Sequence, residues 1–197
     1  MLDQHAAARA GAPKPVVAAE AVPGYGLTAK SLHWLIVAVV AGQFIVSWLM
    51  PNIGRNTRPG TLIDLHFSLG VLILAIMAVR FIHRLYEPVP LAMPDSPRCE
   101  RWMAQGLHRL FYLLLLVGPF LGWASASAHD LPVNVFGLFT LPPIAAPKAR
   151  WALTAGDIHK VGMWTLLALI GVHVAAALYH HFVRHDRVLQ RMLAAAQ

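Results

Sequence analysis

Four histidines in this sequence have the spacing that two stacked metal-binding sites would need. His159 and His173 are fourteen residues apart. In an α-helix this is about 40° short of four full turns, so both rings project from nearly one face, about 21 Å apart. His66 and His33 begin two earlier apolar stretches, at the depths of His159 and His173 respectively. The spacing therefore predicts two imidazole pairs, His66 with His159 and His33 with His173, each supplied by two helices.

A pair of neutral imidazoles suits a six-coordinate heme iron. Imidazole also binds zinc and copper, so histidine alone does not identify the metal. A closed metal site needs three or four ligands within a few ångström of one another, whereas these four histidines divide into two distant pairs. Small residues beside them, Gly70, Gly162 and Gly171, leave room between helices for a flat macrocycle. The pairs therefore favour two hemes in the core of a helix bundle.

The composition places such a bundle in a membrane. Hydrophobic residues make up 57% and charged residues 13% of the 197 residues, and the mean hydropathy is +0.56, unlike a soluble domain. The single cysteine, Cys99, excludes an intramolecular disulfide and cysteine-rich zinc or iron–sulfur sites. The net charge of +7 comes from basic residues beside apolar runs, which indicates contact with lipid rather than nucleic acid.

Four apolar runs have about the 20 residues needed to cross the hydrocarbon of a bilayer. They are residues 32–50, 65–81, 107–124 and 161–182, and each must be helical in lipid to satisfy its own backbone. The predicted fold is an all-α integral membrane four-helix bundle formed by residues 25–193. Residues 1–24 are expected to be a flexible N-terminal tail.

The charges between the spans predict which side faces the cytoplasm. On the side of both termini lie eleven Lys and Arg residues: Arg9, Lys14, Lys30, Arg80, Arg84, Arg98, Arg101, Arg109, Arg184, Arg187 and Arg191. The other side has five: Arg55, Arg58, Lys148, Arg150 and Lys160. The positive-inside rule therefore places both termini in the cytoplasm, with His66 and His159 towards the outer face.

Other residues allow more than one interpretation. A histidine in a membrane helix can simply be a hydrogen-bond partner between helices. His180, seven residues after His173, is a rival ligand, a donor to a quinone carbonyl or a headgroup contact. Arg80 is a partner for a heme propionate or a positive-inside anchor. The third span has a predicted kink at Gly118–Pro119 and is assigned to packing. The remaining histidines need no special role at edges and in loops: His5, His83, His108, His129, His181 and His185.

The motifs around these histidines resemble the prokaryotic cytochrome b561 family, which is related to the b-type cytochrome subunits of nickel–iron hydrogenases. The matching segments are YGLTAKSLHWLI, LHFSLGVLILAIMAVRFIHRL, HRLFYLLLLVGPFLGW and IHKVGMWTLLALIGVHVAAALYHHFVRHD. Together they cover about residues 25–193, nearly everything except the N-terminal tail.

The resemblance implies a cytochrome of the bacterial inner membrane with two non-covalent b hemes. The family's heme ligands fall on His33, His66, His159 and His173. Electrons would pass between an outer-face donor and the quinone pool, with superoxide as donor and ubiquinone as acceptor in a close branch. A member of that branch would be a superoxide:ubiquinone oxidoreductase, whereas other members would be electron-transfer cytochromes.

Two other functions remain open at this stage. The chain can be a subunit that relays electrons between a hydrogenase, or another dehydrogenase, and quinone through contact with that redox partner protein. It can also be a heme-free transporter that uses histidines as proton relays, although no matching pair of broken helices supports this.

Overall fold

The computed structural model describes residues 24–54, 57–87 and 97–193. Four long helices dominate it: α1 Leu27–Leu49, α2 Thr61–Tyr86, α3 Arg98–Ala128 and α4 Arg150–Phe182, followed by a short α5, Gln190–Leu193. The predicted tail (1–24), apart from Gly24, and the basic residue Arg55 lie outside the described residues.

All four long helices are apolar and long enough to cross a membrane, which confirms the predicted all-α membrane bundle. Each begins before its predicted span, and α4 begins at Arg150 rather than at residue 161. Hydropathy detects only the apolar part of a helix, whereas the backbone hydrogen bonds continue through the polar residues Asp157 and Lys160. His159 therefore lies inside α4 rather than before it.

Neighbouring helices run antiparallel. The Arg80 side chain, late in α2, donates from Nη1 to the carbonyl oxygen of Ala29, early in α1, at 3.1 Å. Arg184, just after α4, donates to both carboxylate oxygens of Glu100, early in α3, at 2.5 and 2.7 Å. These contacts place the start of α1 and the end of α4 at one end of the bundle, here called the tail end. The opposite end is called the loop end.

Packing proceeds from each helix to the next, α1 on α2, α2 on α3 and α3 on α4. The α1–α2 contact is built from buried aliphatic residues such as Ile36, Val40 and Ile73. Among the described residues, α4 makes no comparable backbone packing against α1 or α2. The side of α4 that faces α1 and α2 is therefore bridged by side chains rather than closed by direct helix packing.

At the loop end, α3 and α4 approach closely through small residues. Ala124 and Ala128 of α3 and Ala152 and Ala155 of α4 form one buried cluster. A Cβ added to Gly156 would lie 3.0 Å from the Cβ of Ser125, closer than side chains pack. Small residues are what allow membrane helices to pack with their backbones near one another.

Between α3 and α4 the chain forms a hairpin that the sequence analysis did not predict. Strands β1 (Val133–Val135) and β2 (Phe139–Leu141) pair antiparallel. Phe136 and Gly137 have positive φ angles of 48° and 72°, as a type I′ hairpin turn requires. Val133 packs with Ile63 and Phe67 of α2 in a buried cluster, so the hairpin covers the loop end of α2.

At the tail end, the segment after α4 folds back across the bundle. The Trp34 indole N–H donates to the carbonyl oxygen of Met192 at 3.1 Å, and the Arg191 guanidinium lies 5.7 Å from the centre of the Tyr25 ring. Together with the Arg184–Glu100 ion pair, these contacts tie residues 183–193 to α1 and α3.

The carboxylate of Asp186 makes this segment sensitive to pH. Burial raises the pKa of Asp186, but hydrogen bonds from His180 and the Val188 backbone N–H, with the charges of His180 and Arg184, hold it below its usual value. A carboxylate with a lowered pKa stabilises the fold above its unfolded pKa of about 3.9, and that stabilisation is lost as pH falls through the folded value.

We therefore expect Asp186→Asn to loosen residues 183–193 at about pH 7 and to have a smaller effect at about pH 3, below the unfolded pKa. Amide hydrogen exchange of this segment, corrected for the intrinsic rate at each pH, measures the effect. A difference from the parent protein that stays the same at both pH values would contradict this role of Asp186.

Candidate functional site

The structure brings together the two histidines predicted to pair at the tail end. His33, in the second turn of α1, faces His173 of α4, with 6.5 Å between the ring centroids and 70° between the ring planes. Both side chains are partly buried. The pair spans the side of the bundle where α1 and α4 lack direct backbone packing.

The second predicted pair lies at the loop end. The ring centroids of His66, in the second turn of α2, and His159, in the third turn of α4, are 6.4 Å apart, and the ring planes are 88° apart. Both side chains are again partly buried. The two pairs have nearly the same ring separation. They lie at opposite ends of the bundle, as the helical periodicity predicted.

This separation fits one metal ion held between two imidazoles. With metal–nitrogen bonds of about 2.0–2.1 Å on opposite sides of one ion, the two ring centroids would lie about 6 Å apart. Within the described part of the chain, no hydrogen bond joins the two rings of either pair. Nor do three or more His, Cys, Asp or Glu side chains there form a metal cluster. Two-ligand sites of this kind match axial ligation of a heme better than a closed zinc site.

Helix α3 fixes the orientation of one loop-end ring. His159 Nδ1 donates to the carbonyl oxygen of Gly118 at 2.9 Å, so its Nε2 is the ring nitrogen available as a ligand. Gly122, one turn later, lies against the same ring, since an added Cβ would be 3.3 Å from His159 Cε1. The assignment of this span to packing alone is therefore wrong: α3 also orients His159. It continues as one helix through Pro119, and the kink stays a prediction.

The tail-end pair has a third histidine beside it. The ring centroid of His108, on α3, lies 5.6 Å from that of His173, and His108 Nδ1 bonds to the Ala104 carbonyl oxygen at 2.6 Å. Phe111 contacts His173 from one turn further along α3, at 5.5 Å. The interpretation of His108 as an edge residue without a role missed this contact. Its three-residue separation from Phe111, which puts both on one helix face, was the available signal.

Two further residues left open by the sequence analysis lie at the tail end. Arg80 donates to the carbonyl oxygen of Ala29, which places its guanidinium near the start of α1. Ala29 precedes His33 by four residues, which is about one helical turn. His180 bonds through Nδ1 to the Asp186 carboxylate, whereas His173 is the α4 histidine that faces His33. This arrangement favours His173 over His180 as the partner of His33.

Comparisons with known proteins agree with this architecture. The family model described as prokaryotic cytochrome b561 matches residues 24–195. Cytochrome b561 homolog 2 of Escherichia coli strain K12 is 31% identical over 170 residues, covering 86% of this chain and 90% of that protein. A probable superoxide oxidase, CybB, of Yersinia pestis is 29% identical over 173 residues, covering 86% and 95%. Cytochrome b562 of Cereibacter sphaeroides is 30% identical over 179 residues, covering 87% and 96%.

The resemblance noted from the histidine motifs is thus confirmed over nearly the whole described chain. Membership in this family implies binding of b-type heme and a role in membrane electron transport. The four candidate spans agree with a multi-pass membrane protein. This chain belongs to the prokaryotic cytochrome b561 family.

Proposed function

We propose that this protein holds two b hemes and carries electrons between a donor at the outer face and the quinone pool. His66 and His159 would hold the outer heme, and His33 and His173 the inner heme. The observation that carries the proposal is the pair of facing imidazoles at each end, with ring centroids 6.4 and 6.5 Å apart.

When bound, a heme supplies a site that takes up and releases one electron. The protein's residues do the rest. The Gly118 carbonyl oxygen holds His159 in the tautomer whose Nε2 is unprotonated, and hydrogen bonding to the other ring nitrogen raises the basicity of the ligand. Arg80, which donates to the Ala29 carbonyl oxygen at the tail end, would pair with a propionate of the inner heme.

Superoxide is the donor that we propose. One relative is named a probable superoxide oxidase, and the loop end of this chain carries the cations Lys148, Arg150 and Lys160. A cationic surface attracts a small anion. Each superoxide gives one electron and leaves as dioxygen, while a quinone takes up two electrons and two protons to become quinol. We place both termini in the cytoplasm, which puts the loop end at the outer face.

The test uses purified protein in detergent, with heme per chain measured first. We expect two hemes per chain, reduced within the mixing time by superoxide, and quinol formation when ubiquinone is added. A colourless protein would leave only a heme-free role. Quinone reduction that needs an added hydrogenase or other dehydrogenase, and not superoxide, would instead assign the chain as the relay subunit of such an enzyme.

Gly122→Val should weaken the outer site. A Cβ there would lie 3.3 Å from Cε1 and 3.5 Å from Nδ1 of His159, so the larger valine must displace the ring from its hydrogen bond to the Gly118 carbonyl oxygen. Disturbing the group that orients a metal ligand costs about tenfold or more in affinity. We expect the outer heme to be lost preferentially on dilution, and a reduced-minus-oxidised spectrum measures what remains.

Gly106→Val is the matched control, because nothing lies within 4 Å of a Cβ added to Gly106 on the same helix. Equal heme loss in the two variants would show that valine acts through α3 itself and not through His159.

A further inference from the structure

The loop-end pair has a neighbour that the family motifs do not include. Gln43 lies in the last third of α1, and its amide Nε2 donates to the backbone carbonyl oxygen of His66 at 3.1 Å. The same nitrogen lies 3.4 Å from the ring nitrogen Nε2 of His66. Gly70 lies beside the same amide, since an added Cβ would be 3.8 Å from its nitrogen.

Two polar atoms in this contact are buried without a partner in the described part of the chain. They are the amide oxygen Oε1 of Gln43 and the ring nitrogen Nδ1 of His66. A buried polar atom with no hydrogen bond is costly, above all inside a membrane. One of the two is an acceptor and the other a nitrogen that can carry a proton, and they belong to side chains already in contact.

Ligation of a metal determines what these atoms need. When one nitrogen of a neutral imidazole binds a metal, the other carries the proton and requires an acceptor, which is usually a carbonyl or carboxylate oxygen. His159 has such an acceptor in the Gly118 carbonyl oxygen. His66 has none among the described residues, whereas Gln43 beside it has an unused oxygen.

We propose that Gln43 is a positioning residue for the outer site: its amide orients His66 and accepts the ring N–H when His66 acts as a ligand. This inference rests on the proposed function and adds a control of redox potential to it. An acceptor on the second ring nitrogen makes the imidazole a stronger donor to the iron, which favours the oxidised state and lowers the reduction potential.

The test compares Gln43→Met, which keeps the length and removes both polar groups, with Gln43→Glu, which keeps an acceptor oxygen. Redox titration of each purified holoprotein gives the midpoint potentials of its two hemes. The outer heme is identified as the component missing from the His66→Leu protein. In Gln43→Met, we expect at least a tenfold rise in the reduced-to-oxidised ratio of the outer heme at a fixed potential, which is about 59 mV for one electron.

In Gln43→Glu, the outer potential should return to the parent value or fall below it, and the inner potential should not change in either variant. Thr165→Val is the control, because among the described residues the Thr165 hydroxyl bonds within α4, to the Val161 carbonyl oxygen at 2.9 Å, and its loss should shift neither heme. If the Gln43→Met protein loses the outer heme and the Gln43→Glu protein retains it, the role of the residue 43 oxygen as an acceptor is also supported.

Three results would overturn the inference: no shift in either variant, the same shift in both, or loss of the outer heme from both. The last would show that Gln43 serves only to join α1 to α2. These failures are separate from failure of the proposed function, which would appear as a His66→Leu protein that keeps both heme components.

Discussion

The His66→Leu protein is expected to purify with one heme per chain where the parent protein has two. In the parent protein the His66 and His159 ring centroids are 6.4 Å apart. Leucine at position 66 fills a similar volume but offers no nitrogen to a metal, so His159 alone would remain as a ligand. A b heme has no covalent bond to the chain, so a site with one of two axial ligands loses most of its affinity. The reduced-minus-oxidised absorbance should fall by about half.

The reciprocal variant should remove the other heme. In His33→Leu the tail-end pair with His173 is broken, so the remaining spectrum should be that of the outer site, and the two single-variant spectra should add up to the parent spectrum. His181→Leu is the control, since in the part of the chain that the structure describes the His181 ring lies against that of its neighbour Phe182 and belongs to neither histidine pair. A full two-heme spectrum in His66→Leu would show that the ligand assignment is wrong.

Gly156→Val should destabilise the bundle and empty the outer site together. The Cβ of residue 156 would lie 3.0 Å from Ser125 Cβ, and Ser125 is part of the α3 backbone segment that packs on α4 through Ala124 and Ala128. The Ser125 hydroxyl can rotate away, but its Cβ is fixed to the α3 backbone, so the helices must separate to admit the larger valine. Overpacking of this kind costs about 1–3 kcal/mol.

His159 follows Gly156 by three residues, one turn along α4, and depends on α3 for its hydrogen bond to Gly118. Separation of the helices should therefore lower the retention of the outer heme as well as the unfolding temperature in detergent. Gly42→Val provides the comparison, since a Cβ at Gly42 meets nothing within 4 Å. An unfolding temperature in Gly156→Val no lower than in Gly42→Val would show that α3 and α4 do not require this close contact.

Much of the fold could be predicted because the signals are local. Crossing a bilayer requires about 20 apolar residues, so four spans were visible in the sequence, and all four are present. Their ends were less predictable, as α4 shows by beginning at Arg150. Helical periodicity also predicted the two histidine pairs, because fourteen residues return nearly to the same helix face. The structure brings both pairs together, and their role as heme ligands stays a prediction.

The supporting contacts could not be predicted in this way. Gln43 meets His66 from another helix, Gly118 and Gly122 meet His159 across 41 and 37 residues of sequence, and His108 meets His173 from α3. Each contact depends on how far a helix is rotated about its own axis relative to its neighbour.

The sequence by itself therefore determined that the chain has four helices able to cross a membrane and towards which end of the bundle each paired histidine lies, because hydropathy and helix geometry act along one helix. Only the tertiary structure decided which carbonyl, amide or ring contacts each histidine. Lipid is as apolar as the helix surfaces, so hydropathy carries little information about rotation. The close packing of small residues such as Ala152 and Gly156 fixes it instead.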